Sequence, residues 1–304
     1  MNPVVRVVTM LLMVVLVAGL VVVGFLSAGF QPQPGTEEDR QGEYQRVVSL
    51  APSITETLFA IGAGERVVGV STYCEYPPEV QDLPEVGALF DTNYEAIARL
   101  EPDLVVVTDN SEDAPARLKQ MGIDSLMLGT HSIDDIESNA LDLGEALGRQ
   151  DAAIALAERI HNEVETVRTA VAGEERPRVL ITVASGVPED RPNDVYVVGP
   201  GNVYNELLDI AGATNAYEGD LSSAVVSLEG LYDIDPDIII EIAEDTTDSV
   251  AMRDWWRNHD RLKAVQNNRV YILDDDYALI PGPRVVELLI DFANRIHPGR
   301  LGDA

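Results

Sequence analysis

The apolar pattern of the chain opens on a stretch without charge. Residues 7–30 contain no Asp, Glu, Lys or Arg, and about 20 such positions suffice for a helix to cross a bilayer. Beyond residue 44 the pattern changes to short β-branched runs of strand length, alternating with segments of helical period. Strands are predicted at 46–50, 67–70, 104–107 and 125–128, and helices from Ser53 to the Gly62-Ala63-Gly64 stop and over 133–147. That alternation is the signature of a parallel sheet covered by helices. Ser53-Ile54-Thr55-Glu56 has the form of a capping box, Gly148 breaks the 133–147 helix, and Asp151 is placed to cap the next one.

The next helix is long. Ile154, Ala157, Ile160, Val164, Val167 and Val171 recur at steps of three and four, one apolar stripe on a rod of about 20 residues, or about 30 Å. A second alternating set follows, with strands at 178–183, 195–198, 238–240 and 270–273 and helices at 203–211 and 284–296. The predicted fold class is therefore α/β: two Rossmann-like lobes with parallel sheets joined by one long backbone helix. The expected organisation is a signal or anchor segment at 1–30, a Pro, Gly and acid-rich linker at 31–43, an N-terminal lobe at 44–148, an interlobe helix at 149–172 and a C-terminal lobe at 173–304. A rigid connecting rod predicts small hinge motion.

One phrase occurs in both lobes. Asn93-Tyr-Glu-Ala-Ile-Ala-Arg-Leu-Glu-Pro-Asp-Leu-Val-Val-Val107 and Ser227-Leu-Glu-Gly-Leu-Tyr-Asp-Ile-Asp-Pro-Asp-Ile-Ile-Ile-Glu241 share a capping residue, a glutamate two places on, a proline stop and a β-branched run. A side-chain oxygen and a negative charge suit the free N–H groups of a helix start. Proline ends the helix, and the run after it reads as a buried strand. Taken singly, Glu95 or Glu229 is a first-turn glutamate favoured by the helix dipole. As a duplicated pair they would present like charges, one per lobe, to a twofold partner that offers arginines. Two lobes also imply a cleft for a small molecule, because ligand sites favour such interfaces.

Composition narrows the setting. With 21 Lys and Arg against 52 Asp and Glu, the net charge is −31, which provides no basic surface for phosphates and argues against nucleic acid. A hydrophobic content of 46% is that of a globular chain. Acidity of this magnitude resembles that of proteins from salt-accumulating microbes, where screening shortens like-charge repulsion. Arg6 before the apolar segment and Glu37, Glu38 and Asp39 after it place the amino end inside and the rest of the chain outside. Leu26-Ser-Ala-Gly offers small residues for cleavage, but the segment's length favours a retained anchor. The single cysteine, Cys74, has no partner for an intramolecular disulfide and lies too far along to carry an amino-terminal lipid.

Several ordered motifs carry a family resemblance. Arg46-Val-Val-Ser-Leu-Ala-Pro-Ser-Ile-Thr-Glu56, Val68-Gly-Val-Ser-Thr-Tyr-Cys-Glu-Tyr-Pro-Pro78, the two glutamate phrases and Pro281-Gly-Pro-Arg284 together resemble the helical-backbone (class III) substrate-binding proteins of ABC importers, over residues 44–297. The resemblance runs most strongly to the cobalamin-binding member, with relatives that take haem and ferric siderophores. It implies a monomeric extracytoplasmic receptor, not an enzyme, that captures a corrinoid or iron chelate between its lobes. Delivery would go to a permease with its ATPase subunits, and Glu95 and Glu229 would dock on permease arginines. No other cofactor and no resident metal are expected.

The ligand contacts that follow are Pro52, Ser53, Tyr73, Leu89, Phe90, Thr108, Asp109, Ser185, Asp276 and Tyr277. Tyr73 keeps an aromatic of the resembled pocket. Leu89, Thr108, Val183, Ser223 and Ile280 stand at other matching positions and cannot stack as an indole or supply a positive charge, while Phe90 and Tyr277 would compensate. Apolar walls with a few hydrogen-bonding groups would still suit a flat macrocycle with propionamide arms. Asp274-Asp275-Asp276 reads as a solvated acidic turn rather than a cation site, and Arg284 as a partner of the local acidic surface.

Other chemistries lack their signatures. His131, His161, His259 and His297 are too scattered for a metal-ligand spacing, and Gly199-Pro-Gly201 lacks the third glycine of a dinucleotide fingerprint. Carboxylates are numerous enough that counting does not dismiss an acid pair for glycoside hydrolysis. A surface enzyme or sensor on the same fold would nevertheless leave the paired glutamate phrases without a purpose.

Overall fold

The computed structural model describes residues 44–88, 91–111, 113–183, 194–244 and 249–301. The 1–30 segment, the linker, and Leu89, Phe90 and Ser185 lie outside the described residues. Among the described residues no helix is long and apolar enough to cross a membrane.

The first half contains β1 (Val47–Ser49), α1 (Pro52–Ala60), β2 (Val67–Val70), a two-residue ribbon of β3 (Gly87–Ala88) and β4 (Asp91–Thr92), α2 (Tyr94–Arg99), β5 (Leu104–Thr108), α3 (Ala114–Gln120), β6 (Asp124–Leu128) and α4 (Ile133–Ala146). Its sheet runs in the order β2-β1-β5-β6 with every pair parallel. After the 21-residue α5 (Gln150–Ala170) come β7 (Arg178–Val183), β8 (Asp194–Val198), α6 (Val203–Ile210), β9 (Thr214–Asn215), β10 (Ser223–Ser227), α7 (Leu228–Ile234), β11 (Ile238–Ile242), α8 (Ser249–Arg257), α9 (Lys263–Gln266), β12 (Val270–Leu273) and α10 (Val285–Ile296). The second sheet runs β10-β8-β7-β11-β12, with β9 also on β7. It is parallel across β7, β9, β11 and β12, while β8 and β10 add an antiparallel margin.

The central strands β1, β5, β7 and β11 are covered on both faces, which is why they read as continuous β-branched runs rather than alternating ones, while β6, β8 and β10 at the margins keep exposed positions. In β1 and β5, Val47 and Val106 face one core while Val48, Val105 and Val107 face another. In β11, Ile238, Ile240 and Ile242 face the first core and Ile239 a third. The first core is shared by both halves, and Ile160, Val164 and Val167 of α5 belong to it. That helix packs on α4 of the first half and on α6 and α10 of the second.

The repeated phrase folds the same way twice, down to bonds that link distant strands. Asn93 Oδ1 accepts from Ala96 N–H at 2.9 Å, and Ser227 Oγ accepts from Gly230 N–H at 3.2 Å, so each cap satisfies one free donor at its helix start. At the far end both chains turn through the left-handed region on a non-glycine residue, Glu101 at φ 46° and Asp235 at φ 40°. The carbonyls freed there are taken by an arginine at the start of the neighbouring strand. Arg46 donates to the carbonyls of Leu100 and Glu101 (2.5–3.2 Å), and Arg178 to those of Ile234 and Asp235 (2.8 and 3.3 Å). The aspartate after each proline returns the bond: Asp103 accepts from Arg46 N–H at 2.9 Å and Asp237 from Arg178 N–H at 3.0 Å.

Three local expectations are corrected. Ser53-Ile54-Thr55-Glu56 forms no capping box: Pro52 occupies the first turn, Ala51 is the cap without a side-chain bond, and Glu56 is buried. Asp151 lies in the first turn of α5 rather than at its cap, which is Arg149. Ile154 is 47% exposed, and Ala153 and Leu156 take its place on the buried stripe. A Cβ on Gly144 of α4 would run into the Ala153 side chain, so close helix contact there fixes the rotation of α5.

Candidate functional site

The carboxyl ends of the strands converge on a cleft between the two sheets, where open α/β folds place their ligands. One compartment, of about 450 Å³, is walled on the first half by Ser53, Ser71, Tyr73, Thr108, Asn110 and Thr130, and on the second by Asn202, Tyr204, Ser222 and the 279–281 segment. A second, of about 500 Å³, shares Pro52, Tyr73, Leu279 and Ile280 with the first and continues past Tyr76 to Glu244, Asp275 and Asp276. Clefts of this size hold small molecules and cofactors. Tyr73, 68% exposed, projects where the two compartments meet. Below it the Cys74 thiol is buried against the hydroxyls of Thr55 and Ser71, both at 3.1 Å, and burial pushes its pKa up. It packs as a neutral group.

The halves are tied at the floor of the second compartment. Arg284 meets Glu56 of α1 through two bonds, Nε to Oε2 at 3.0 Å and a terminal nitrogen to Oε1 at 2.6 Å, and reaches Asp276 at 2.7 Å. Its guanidinium lies over the Tyr76 ring, 4.0 Å from the centroid. Gly282 permits this approach, because a Cβ there would sit 3.2 Å from Ser53 Cα and 3.5 Å from Glu56 Oε2. Burial pushes the Glu56 carboxyl above its ordinary value, and the Arg284 bonds oppose that without cancelling it. For Arg284, burial works against the charge but the bonds from Glu56 and Asp276 outweigh it, and the pKa is raised. Arg284 was expected to pair with acidic surface; its main partner is a carboxylate only 3% exposed on the opposite lobe.

Of the expected contacts, Pro52, Ser53, Tyr73 and Thr108 line the first compartment, and Asp276 the second. Asp109 and Tyr277 do not line it. Asp109 is held behind the wall by His131 Nε2 at 2.9 Å and the Thr130 hydroxyl at 3.1 Å. Tyr277 turns away to donate to Asp291 at 2.7 Å; burial first, then that bond, raises its pKa. Leu89, Phe90 and Ser185 lie outside the described residues. The acidic turn divides its work, with Asp274 accepting from the Ser249 hydroxyl and Asp276 on Arg284, and among the described residues no acidic or His cluster has the geometry of a metal site.

Sequence reasoning missed His131, Asn202, Tyr204, Ser222 and Leu279 as cleft residues. His131 and Thr130 follow β6, so the strand-end rule marks them once the strands are placed, whereas Asn202 follows β8, which runs against β7, and the rule does not reach it. Ser222 enters the wall only through the antiparallel margin, where Gly199 N–H donates to its carbonyl at 2.9 Å.

Glu95 and Glu229 are exposed, each the second residue of its helix. Glu95 is also held by Arg99 at 2.5 Å. Because Arg46 and Arg178 fix the helix C-termini at the starts of β1 and β7, the opposite ends, which carry the glutamates, point towards the strands' carboxyl ends, the cleft side of each sheet.

A family model described as periplasmic binding protein matches residues 47–277. The chain belongs to that family. This periplasmic binding protein is 30% identical over 264 residues to an ABC transporter substrate-binding lipoprotein of Bacillus subtilis, covering 84% of this chain and 81% of that one. The solved vitamin B12-binding protein of Vibrio cholerae superposes with a TM-score of 0.72 at 25% identity, over 83% of this chain and 96% of the other. A haem-binding protein from Roseiflexus sp. RS-1, solved in apo form, superposes with a TM-score of 0.72 at 25% identity, over 84% and 99%. The periplasmic binding protein fold thus accounts for the two sheets, the long joining helix and the cleft, and places the folded part outside the cytoplasm.

Proposed function

We propose that this periplasmic binding protein is the capturing subunit of an ABC importer, taking a corrinoid such as cobalamin into the interlobe cleft and delivering it to a permease. The observation that carries this reading is the cleft itself. It is walled by both lobes, has Tyr73 at its centre, and is lined in its first compartment by apolar surface and neutral hydrogen-bonding groups, the surroundings that a macrocycle with amide arms requires. Glu95 and Glu229 would dock on permease arginines, which a pair of exposed carboxylates on matching helices supports. The protein would act as a monomer, tethered by residues 7–30, with surface acidity matched to a salty environment.

Haem or a ferric siderophore is the alternative ligand within the same importer class. The observation that favours haem is His131, which reaches the first compartment with its orientation fixed by Asp109, as metal-ligating imidazoles are by carboxylates. Isothermal titration with cyanocobalamin, haemin and a ferric hydroxamate separates the two. Saturable 1:1 binding of cyanocobalamin is expected, and binding of haemin or the hydroxamate alone would replace the corrinoid assignment.

A further inference from the structure

The two compartments of the cleft differ in charge. Among the described residues no Arg, Lys, Asp or Glu lines the first. Among the described residues the second is lined by Glu75, Glu244, Asp275 and Asp276 and by one cationic side chain, Arg284. That guanidinium is already engaged, by two bonds to Glu56 and one to Asp276, with its face over Tyr76. Among the described residues Glu75 and Glu244 form no ion pair, and Asp275 is offset only by a hydrogen bond with Tyr277 and the charge of Arg295. The crowding registers at Asp275, whose carboxyl is pushed up by burial and then by the charges of Asp291 and Asp274.

We infer that the second compartment selects the ligand by the charge of its arms, admitting a neutral or cationic chelate whose arms end in amides and turning away one whose arms end in carboxylates. An amide N–H finds acceptors in Glu75 and in Asp275, which Tyr277 occupies only in part, whereas a carboxylate has no donor to offer and meets like charge beside a guanidinium that is already engaged. At separations near 4 Å even water-like screening makes one such repulsion worth about a fivefold change in affinity, and partial burial increases it. The inference rests on the carrier reading and adds a criterion within it. A corrinoid with its propionamide arms meets that criterion; the same ring with those arms hydrolysed to acids, or a haem with its propionates, does not.

The test is equilibrium titration of the full chain with four probes: cyanocobalamin, cobinamide, the corrinoid with its amide arms hydrolysed to carboxylates, and haemin. The amide-armed corrinoids are expected to bind at least about tenfold tighter than the hydrolysed ring at 0.1 M salt, with the gap shrinking at 1 M as the screening length falls from about 10 to about 3 Å. In the Glu75→Gln, Asp275→Asn double variant the ratio of the two affinities should narrow at 0.1 M. Equal or tighter binding of the carboxylate-armed probes at low salt, or a ratio that neither salt nor the double variant changes, overturns the inference and leaves the carrier reading standing. Binding of none of the four removes both together.

Discussion

Arg284 and Glu56 stand 228 positions apart in the chain and form a two-bond ion pair across the lobes, with the carboxylate side chain 2% and the guanidinium 14% exposed. A fork of two parallel bonds fixes direction as well as distance. It sets the 281–284 segment against α1, and with it the floor where the two cleft compartments meet.

Removal of one member should therefore be severe. Arg284→Ala leaves a buried carboxylate without its partner, and a loss of about 3–5 kcal/mol is expected. Arg284→Lys should recover only part, since an ammonium cannot make the paired bonds or lie flat on Tyr76. Chemical denaturation at constant salt measures both; a lysine variant as stable as the parent would contradict the geometry.

The same pair predicts a pH dependence. Glu56 titrates near 4.5 in the unfolded chain and higher in the folded one. Between those values the native state holds a proton that the unfolded state has released, so this group's contribution to stability falls as pH rises through the window and is level above it. Stability of the parent relative to Glu56→Gln should decline across that interval and then become flat. A relative stability that climbs over the interval would mean that the arginine, not burial, dominates the carboxyl.

Charge reversal at the repeated helices should separate delivery from capture. Glu95→Arg with Glu229→Arg is expected to abolish uptake while leaving ligand affinity in solution within about twofold, because both side chains are exposed and neither lines the cleft. Uptake at the parental rate in the double variant would remove the docking role.

Thr182, in the middle of the second sheet, is fully buried and its hydroxyl has no hydrogen-bond partner among the described residues. An unsatisfied buried hydroxyl costs roughly 1–3 kcal/mol. Thr182→Val keeps the shape and removes that group, so a gain of about 1 kcal/mol is expected in urea denaturation. A loss of stability would place a bonding partner at that hydroxyl.

Legibility in the sequence followed the range of the interaction that decides each feature. The helix, proline and strand of the repeated phrase were readable because caps, stops and β-branched runs act within a few residues. The arginines that bind the ends of those helices were not, since Arg46 reaches Leu100 and Arg178 reaches Ile234 only after the strands have paired. Ile154 and Ala153 fit the helical period almost equally, and contact with Gly144 decided between them. Asp109 looked like a cleft residue because it follows a strand, but His131 and Thr130 hold it in the wall.

By itself the sequence determined the fold class, the long joining helix and the duplicated glutamate-bearing helices, because apolar periodicity and helix-end chemistry are local. Only the tertiary structure decided that Glu56 forms an ion pair instead of capping a helix, and that the cleft has one neutral and one acidic compartment. Both depend on which charges are brought together and dried by packing, and a linear order of residues does not carry that.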